Sequence, residues 1–321
     1  MLEVRDLSIE FGRAANPLRV VDGVSFDVRP AEAFGIVGES GSGKSMTALA
    51  LLGLLPYPGR IAGGSIRFEG EEWVGLSERA LRRLRGAKVA MIFQEPLTAL
   101  NPAMTVGDQI AEAAQIHRRL RRRESAAEAV RLLRLVEIPA AERRAQDYPH
   151  ELSGGMRQRV MIAIALACQP RLLLADEPTT ALDVTVQAQI MDLLRELRRE
   201  LGLAVVLISH DLGLVAEFAD RVAVMYAGRI VEEAPAGEAF GRPAHPYTAG
   251  LIGAIPTLEG PIGALRTIPG VIPTPHELPH GCRFAPRCAR RTPLCENGEP
   301  ALVPLGDRRA ACLRPLLEAA A

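Results

Sequence analysis

Residues 34–45 read FGIVGESGSGKS, and no other stretch constrains the chain as tightly. An apolar run, Phe34–Val37, ends at Gly38, four residues intervene, and Gly43-Lys44-Ser45 follows. This is G-x-x-x-x-G-K-[ST], with a buried strand predicted before it and a helix predicted from Met46 to Leu55. Gly38, Gly41 and Gly43 let the backbone wrap closely, so that N–H groups of Ser40, Ser42 and Met46 can point at phosphate oxygens. The helix dipole adds its positive end to the same anion. Lys44 is predicted to reach the β/γ-phosphates, and the Ser45 hydroxyl to coordinate Mg²⁺. A strand, a glycine loop and a helix in this register imply an α/β chain.

Further positions suit the same ligand. Lys88–Ile92 reads as a buried strand delivering Gln94 just where Pro96 stops regular pairing, so its amide can reach Mg²⁺ or an attacking water. Arg171–Ala175 is an apolar strand tipped by Asp176, where parallel sheets place ligands, so Asp176 is predicted to hold Mg²⁺ directly or through water. Glu177 then points elsewhere, placed to polarise a water in line with the γ-phosphate. Leu203–Ile208 is another buried strand, and His210 beyond it can donate a hydrogen bond to that phosphate. A second anion cradle stands at Leu152-Ser153-Gly154-Gly155, where Ser153 caps a long amphipathic helix and two glycines expose its N–H groups. One nucleotide does not need two cradles in one chain. This one is therefore predicted to complete a site on another subunit.

Elsewhere the pattern is scaffold. Residues 2–9 and 20–28 alternate like strands, and 65–69 is expected to complete this small β layer. Phe11 ends the first strand; its ring suits stacking on an adenine and equally suits ordinary packing. Residues 104–147 read as helical, with a basic run at 117–123 expected to be a solvated helix end. A helix is predicted over Thr185–Leu201, with apolar positions 186, 190, 193, 194, 197 and 201, and a hairpin turning at Ala227-Gly228. Lys and Arg number 38, as do Asp and Glu, so the net charge is zero, which argues against bulk nucleic acid as the main partner. The longest apolar run, Val160–Cys168, is too short for a bilayer, and the start lacks a basic-then-apolar leader. The chain is expected to stay inside the cell and meet a membrane through another protein.

Taken in order, these motifs resemble the nucleotide-binding subunit of an ABC transporter. The correspondence runs through Walker A at 38–45, Q-loop Gln94, signature 152–156, Walker B at 171–177, D-loop 181–183 and switch residue His210, over about residues 1–235. The resemblance implies a P-loop NTPase (RecA-like) α/β core with an antiparallel β layer and a helical subdomain near 96–160. It also implies ATP hydrolysis with Mg²⁺ by Glu177, His210 and Gln94, at two head-to-tail sites. In these, Ser153, Gly154, Gly155 and Asp183 of one subunit serve the ATP of the other. Met156 departs from the usual signature Gln, and Met46 from a common Thr, removing a possible hydroxyl contact to the α-phosphate.

Finer wording at 91–102 (MIFQEPLTALNP), 176–189 (DEPTTALDVTVQAQ), 224–228 (VMYAG) and His245-Pro246-Tyr247-Thr248 resembles the D-type ATPase of bacterial dipeptide/oligopeptide importers. That resemblance implies a second, non-identical ATPase subunit, two membrane permease subunits, an extracytoplasmic substrate-binding protein and no nucleic acid. It places the chain peripherally on the cytoplasmic face of the inner membrane. Nickel importers share much of the core wording, but their ATPases often lack the cysteine-bearing tail. A soluble ABC ATPase of DNA repair would need a long coiled-coil insertion, and one of translation usually a duplicated core; neither is present. Intact Lys44, Glu177 and His210 disfavour a non-hydrolysing regulatory module.

Residues 236–321 read as a small irregular extension, rich in Pro and Gly, with little helical periodicity before Arg309–Ala320. It holds Cys282, Cys288, Cys295 and Cys312, spaced C-x5-C-x6-C-x16-C, whereas Cys168 is expected in the core. In a cytosolic chain four such thiols read as metal ligands, for Zn²⁺ or an iron–sulfur cluster. Intervals longer than zinc knuckles point to a [4Fe–4S] cluster, with zinc as the alternative. D-type importer ATPases resemble this chain in carrying such a cysteine set.

Overall fold

The computed structural model describes residues 1–13, 16–180, 182–255 and 267–317. The chain divides into two compact units, one of residues 1–28, 33–74 and 208–321, the other of 29–32 and 75–207. The first unit opens with β1 (Leu2–Phe11) and β2 (Leu18–Val28), which pair antiparallel. Then come β3 (Ala33–Val37), buried throughout, and α1 (Lys44–Leu51). β4 (Arg60–Phe68) and the short β5 (Glu71–Glu72) complete an antiparallel sheet in the order β2-β1-β4-β5. Alternate residues Val24, Phe26 and Val28 are buried as a period of two requires. β4 starts earlier than the predicted 65–69. α1 stops before Leu55, because Gly53 takes the left-handed conformation (φ 61°) and Leu54 N–H donates back to Leu49 C=O.

The second unit is mostly helical. It comprises α2 (Glu78–Leu84), β6 (Val89–Ile92), α3 (Pro96–Ala99), α4 (Val106–Arg118), α5 (Arg122–Leu135), α6 (Ala141–Arg144), α7 (Gly154–Leu166), β7 (Leu172–Asp176) and α8 (Val184–Leu201). β6 and β7 pair in parallel, Val89 opposite Leu172 and Ile92 opposite Ala175. The predicted helical stretch is interrupted at Arg119, whose left-handed conformation (φ 55°) ends α4. The basic run is thus a helix end, with Arg118 donating to Glu128 at 2.6 Å and to Ala167 C=O at 3.2 Å. α7 is not the amphipathic helix expected. Val160, Met161, Ile162 and Ala163 are all buried in succession, so it runs inside the unit rather than across its surface. On α8 the expected stripe holds from Ile190 to Leu197, but Leu201 is exposed.

β8 (Ala204–Ser209), wholly buried, carries the chain back to the first unit. There α9 (Leu212–Phe218) is followed by β9 (Arg221–Tyr226) and β10 (Arg229–Pro235), joined at Ala227 and Gly228, both at positive φ as a tight hairpin requires. β3 pairs in parallel with β9.

The extension is more regular than its sequence suggests. α10 (Ala236–Gly241) and α11 (Pro246–Gly253) open it, and β11 (Val303–Leu305) and β12 (Arg308–Ala310) close it, with β12 antiparallel to β10. The helical periodicity seen at Arg309–Ala320 is overridden. Ala311 N–H donates to Val231 C=O at 2.8 Å and Arg309 pairs with Glu233, so strand pairing wins over local propensity. Residues 318–320 of that stretch lie outside the described residues. Among the described residues no helix is long and apolar enough to cross a membrane.

Candidate active site

In the first unit the glycine loop joins β3 to α1. Gly38 sits at φ 152°, and a Cβ there would lie 2.2 Å from Met225 C=O, so only glycine fits against β9. Gly43 (φ 102°) is the N-cap of α1 and offers no side-chain hydrogen bond, so the helix begins directly at the glycine loop. The Lys44 ammonium is buried and donates to Gly38 C=O at 2.7 Å and Glu39 C=O at 3.0 Å. Ser42 N–H donates to Glu39 C=O at 3.2 Å, which closes the loop that also carries Ser40 and Gly41. Phe11 ends β1 with its ring against Gly59, where a Cβ would come within 2.8 Å of it. His210 is exposed just past β8, and Asp211 beside it caps α9 by accepting Leu214 N–H at 3.2 Å.

In the second unit Asp176 is the buried tip of β7. Glu177 follows at φ 48° and precedes Pro178, a conformation costly for a residue before proline and held here by its surroundings. One oxygen of its carboxylate, Oε2, accepts from Gln94 Nε2 at 3.0 Å and from Thr180 Oγ1 at 2.9 Å. Gln94 lies two residues beyond the end of β6, and its amide N–H₂ is committed to Glu177. Thr180 is a partner that the sequence did not single out. Ser153 caps α7, accepting Met156 N–H at 3.4 Å. Gly154 and Gly155 have a packing reason as well, since a Cβ on Gly155 would lie 2.6 Å from Val186 on α8. Asp183 caps α8 by accepting Val186 N–H at 2.9 Å; Ala181 of the same loop lies outside the described residues.

A family described as ABC transporter matches residues 21–180, and one described as oligopeptide/dipeptide transporter, C-terminal region, matches residues 231–295. The chain is 53% identical over 312 residues to a putative peptide import ATP-binding protein of Brucella abortus, covering 97% of this chain and 94% of that protein. The chain belongs to the ABC transporter family. This ABC ATPase is also 50% identical over 318 residues to the oligopeptide transport ATP-binding protein OppD of Salmonella typhimurium, covering 99% of this chain and 95% of that one. The dipeptide transport ATP-binding protein DppD of Haemophilus influenzae is 49% identical over the same length, 318 residues. Among solved structures, the dimeric ATP-binding cassette MJ0796 bound to ADP and Pi matches with a TM-score of 0.66 at 28% identity. The match covers 74% of this chain and 99% of that one. The fold is that of ABC cassettes, and the activity is ATP hydrolysis coupled to transport.

The four cysteines of the ABC ATPase's extension line one cavity, together with His245 and Phe284. Burial pushes the Cys282 thiol up to about 11 and raises Cys288 and Cys312. Among the described residues no three His, Cys, Asp or Glu side chains stand close enough to hold a metal ion. The four cysteines thus share a cavity without converging as a metal site. Cys168 lies just past α7 rather than within a helix, half-buried, its thiol donating to Ala113 C=O at 3.4 Å.

Sequence reading missed the residues that fasten the extension. Buried Glu232 on β10 accepts Ala244 N–H at 2.8 Å and His245 N–H at 2.9 Å. Burial pushes the His245 imidazole down to about 4, so its Nδ1 keeps the lone pair that accepts Tyr247 N–H at 3.0 Å. Burial raises the Asp22 carboxyl, but Arg229, Arg283 and Arg19 more than offset it, and Arg283 ties it to the extension. The only signal for any of these was the His-Pro-Tyr-Thr wording.

Proposed function

We propose that this ABC ATPase powers uptake of dipeptides or oligopeptides, working beside a second, non-identical ATPase subunit on two membrane permease subunits fed by an extracytoplasmic binding protein. It would sit peripherally on the cytoplasmic face of the membrane. The observation that carries this reading is the near-full-length identity to peptide-transport ATPases, 50% over 318 residues, which runs through the extension as well as the cassette. The dimeric state of MJ0796 supports pairing.

In this reading residues 1–235 form the nucleotide-binding domain, with a helical subdomain near 96–160, and 236–321 the importer-type extension. Gly38–Met46 wrap the phosphates, with Lys44 as their counter-charge. Ser45, Asp176 and Gln94 serve Mg²⁺, Glu177 takes the proton of the attacking water, and His210 donates to the γ-phosphate. Ser153, Gly154, Gly155 and Asp183 serve the partner's ATP. The four cysteines would be the ligands of a [4Fe–4S] cluster. That part is supported by the cavity the four cysteines share.

Purification of the tagged chain from detergent-solubilised membranes tests the assembly. Two permeases and a different ATPase should accompany it, and a peptide with its binding protein should stimulate hydrolysis in the reconstituted complex. Stimulation by nickel and by no peptide would overturn the substrate reading.

A further inference from the structure

We infer that the C-terminal extension is a working part of the ATP site: Arg287 and Tyr247 are positioning residues that hold the P-loop through Glu39 and thereby set its affinity for ATP. The inference rests on the family's ATP site at this loop. Glu39 is the first residue after Gly38, and each of its polar groups is engaged. Its carboxylate receives both arms of the Arg287 guanidinium, at 2.7 and 2.9 Å. Its N–H donates to Tyr247 Oη at 2.9 Å. Its C=O accepts the Lys44 ammonium at 3.0 Å. The first two anchors come from the extension, 248 and 208 residues away in sequence.

The anchors are themselves rigid. The Arg287 side chain is 4% exposed, donates to Pro269 C=O at 2.8 Å and lies over the Tyr226 ring at 5.8 Å. Tyr226, Tyr247 and Phe284 pack against one another with ring centroids 4.6, 5.2 and 5.3 Å apart. Its hydrogen bonds to the Glu39 carboxylate raise the Arg287 pKa further, so the guanidinium stays charged.

A bidentate guanidinium–carboxylate pair fixes orientation as well as distance. With its N–H bonded to Tyr247, Glu39 cannot offer that group to a phosphate. Its carbonyl is instead fixed toward Lys44, the residue that meets the phosphates. Loosening either anchor frees Glu39 and weakens one of the two carbonyl contacts that hold the ammonium, so part of the loop's ordering cost falls on ATP binding.

The test uses the full chain and a fluorescent ATP analogue, with ATPase kinetics alongside. Arg287→Met should weaken ATP binding about threefold to tenfold, the size expected for a partly solvated charge-assisted bond. Glu39→Gln should do the same, and the double variant should be no worse than either single change, because one interaction is lost in all three. Arg287→Lys should fall between, having one donor direction instead of a fork. Tyr247→Phe should raise KM more than it lowers kcat. Arg291→Met, which breaks an exposed pair with Glu296, should change nothing. Parent-like ATP affinity in Arg287→Met, or single losses that add in the double variant, would overturn the clamp. Lys44→Ala separates this from a failure of the site itself: loss there with none at Arg287 leaves the ATP site standing. Should Arg287→Met not fold, Glu39→Gln carries the same test, since its side chain is 33% exposed.

Discussion

Replacing Glu177 by Gln should slow hydrolysis sharply while leaving the nucleotide bound, and the structure says how cleanly. Two donors to this carboxylate, Gln94 Nε2 and Thr180 Oγ1, reach the same oxygen, Oε2. A glutamine can present its carbonyl oxygen at that position and keep these two bonds, so the strained turn before Pro178 retains them. What disappears is the proton acceptor. Loss of a general base costs about 10²–10⁴ in rate, or roughly 3–5 kcal/mol of barrier. Thr180→Val is the contrasting change: it keeps the base and removes one neutral donor, worth about 1 kcal/mol or roughly fivefold. Single-turnover hydrolysis of radiolabelled ATP measures the chemical step, and filter binding measures retention of nucleotide. Glu177→Gln should be slower than Thr180→Val by at least about tenfold, with ATP retained in both. A Glu177→Gln enzyme hydrolysing as fast as Thr180→Val would show that Glu177 is not the base. Equal loss of binding in Glu177→Gln and Lys44→Ala would show that it grips ATP instead.

Ser153→Arg should impair the partner's nucleotide site and spare binding at this chain's own P-loop, as read by nucleotide cross-linking in the assembled pair; a fully active homodimer of the isolated chain would remove the heteromer claim. Protein purified without oxygen should be brown with about four iron per chain and should lose colour and iron in Cys288→Ser; colourless protein with one zinc would keep a metal site and remove the cluster. The Glu128 carboxyl is held down to about 2, by Arg131 foremost and also by Arg118. Its folded value lies below its unfolded one, so its stabilisation is complete above about 4.5 and is lost as pH falls toward 2. Solvent screening limits the loss to about 1 kcal/mol, and urea titrations at pH 5 and 3 should show it in the parent and not in Glu128→Gln.

The sequence made the cassette legible because its signals are local. A glycine that must sit at positive φ beside a strand, as Gly38 does, is announced by its neighbours, and so is a carboxylate at the tip of an all-apolar strand. Where packing decides, the same signals mislead. α7 begins with a helix-cap pattern that promises a surface helix, yet Gly155 is small because Val186 leaves no room, and the helix is buried. Arg309 and its neighbours carry helical periodicity, yet pairing with β10 makes them a strand.

The extension shows the limit most plainly. With 38 acidic residues in the chain, nothing local to Arg287 selects Glu39 as its partner, and nothing near Glu39 points 248 residues downstream. Only once β12 is paired with β10, and α11 is capped by His245 against Glu232, do Tyr247 and Arg287 arrive at the phosphate loop. The proline-rich tail that looked like an appendage lies in the same compact unit as the glycine loop between β3 and α1, and the buried Arg287 guanidinium is engaged on that loop. An appendage with a purely internal role would have no use for Arg287 there, since the tail's own pairs, Arg308 with Glu238 and Arg291 with Glu296, already close on themselves.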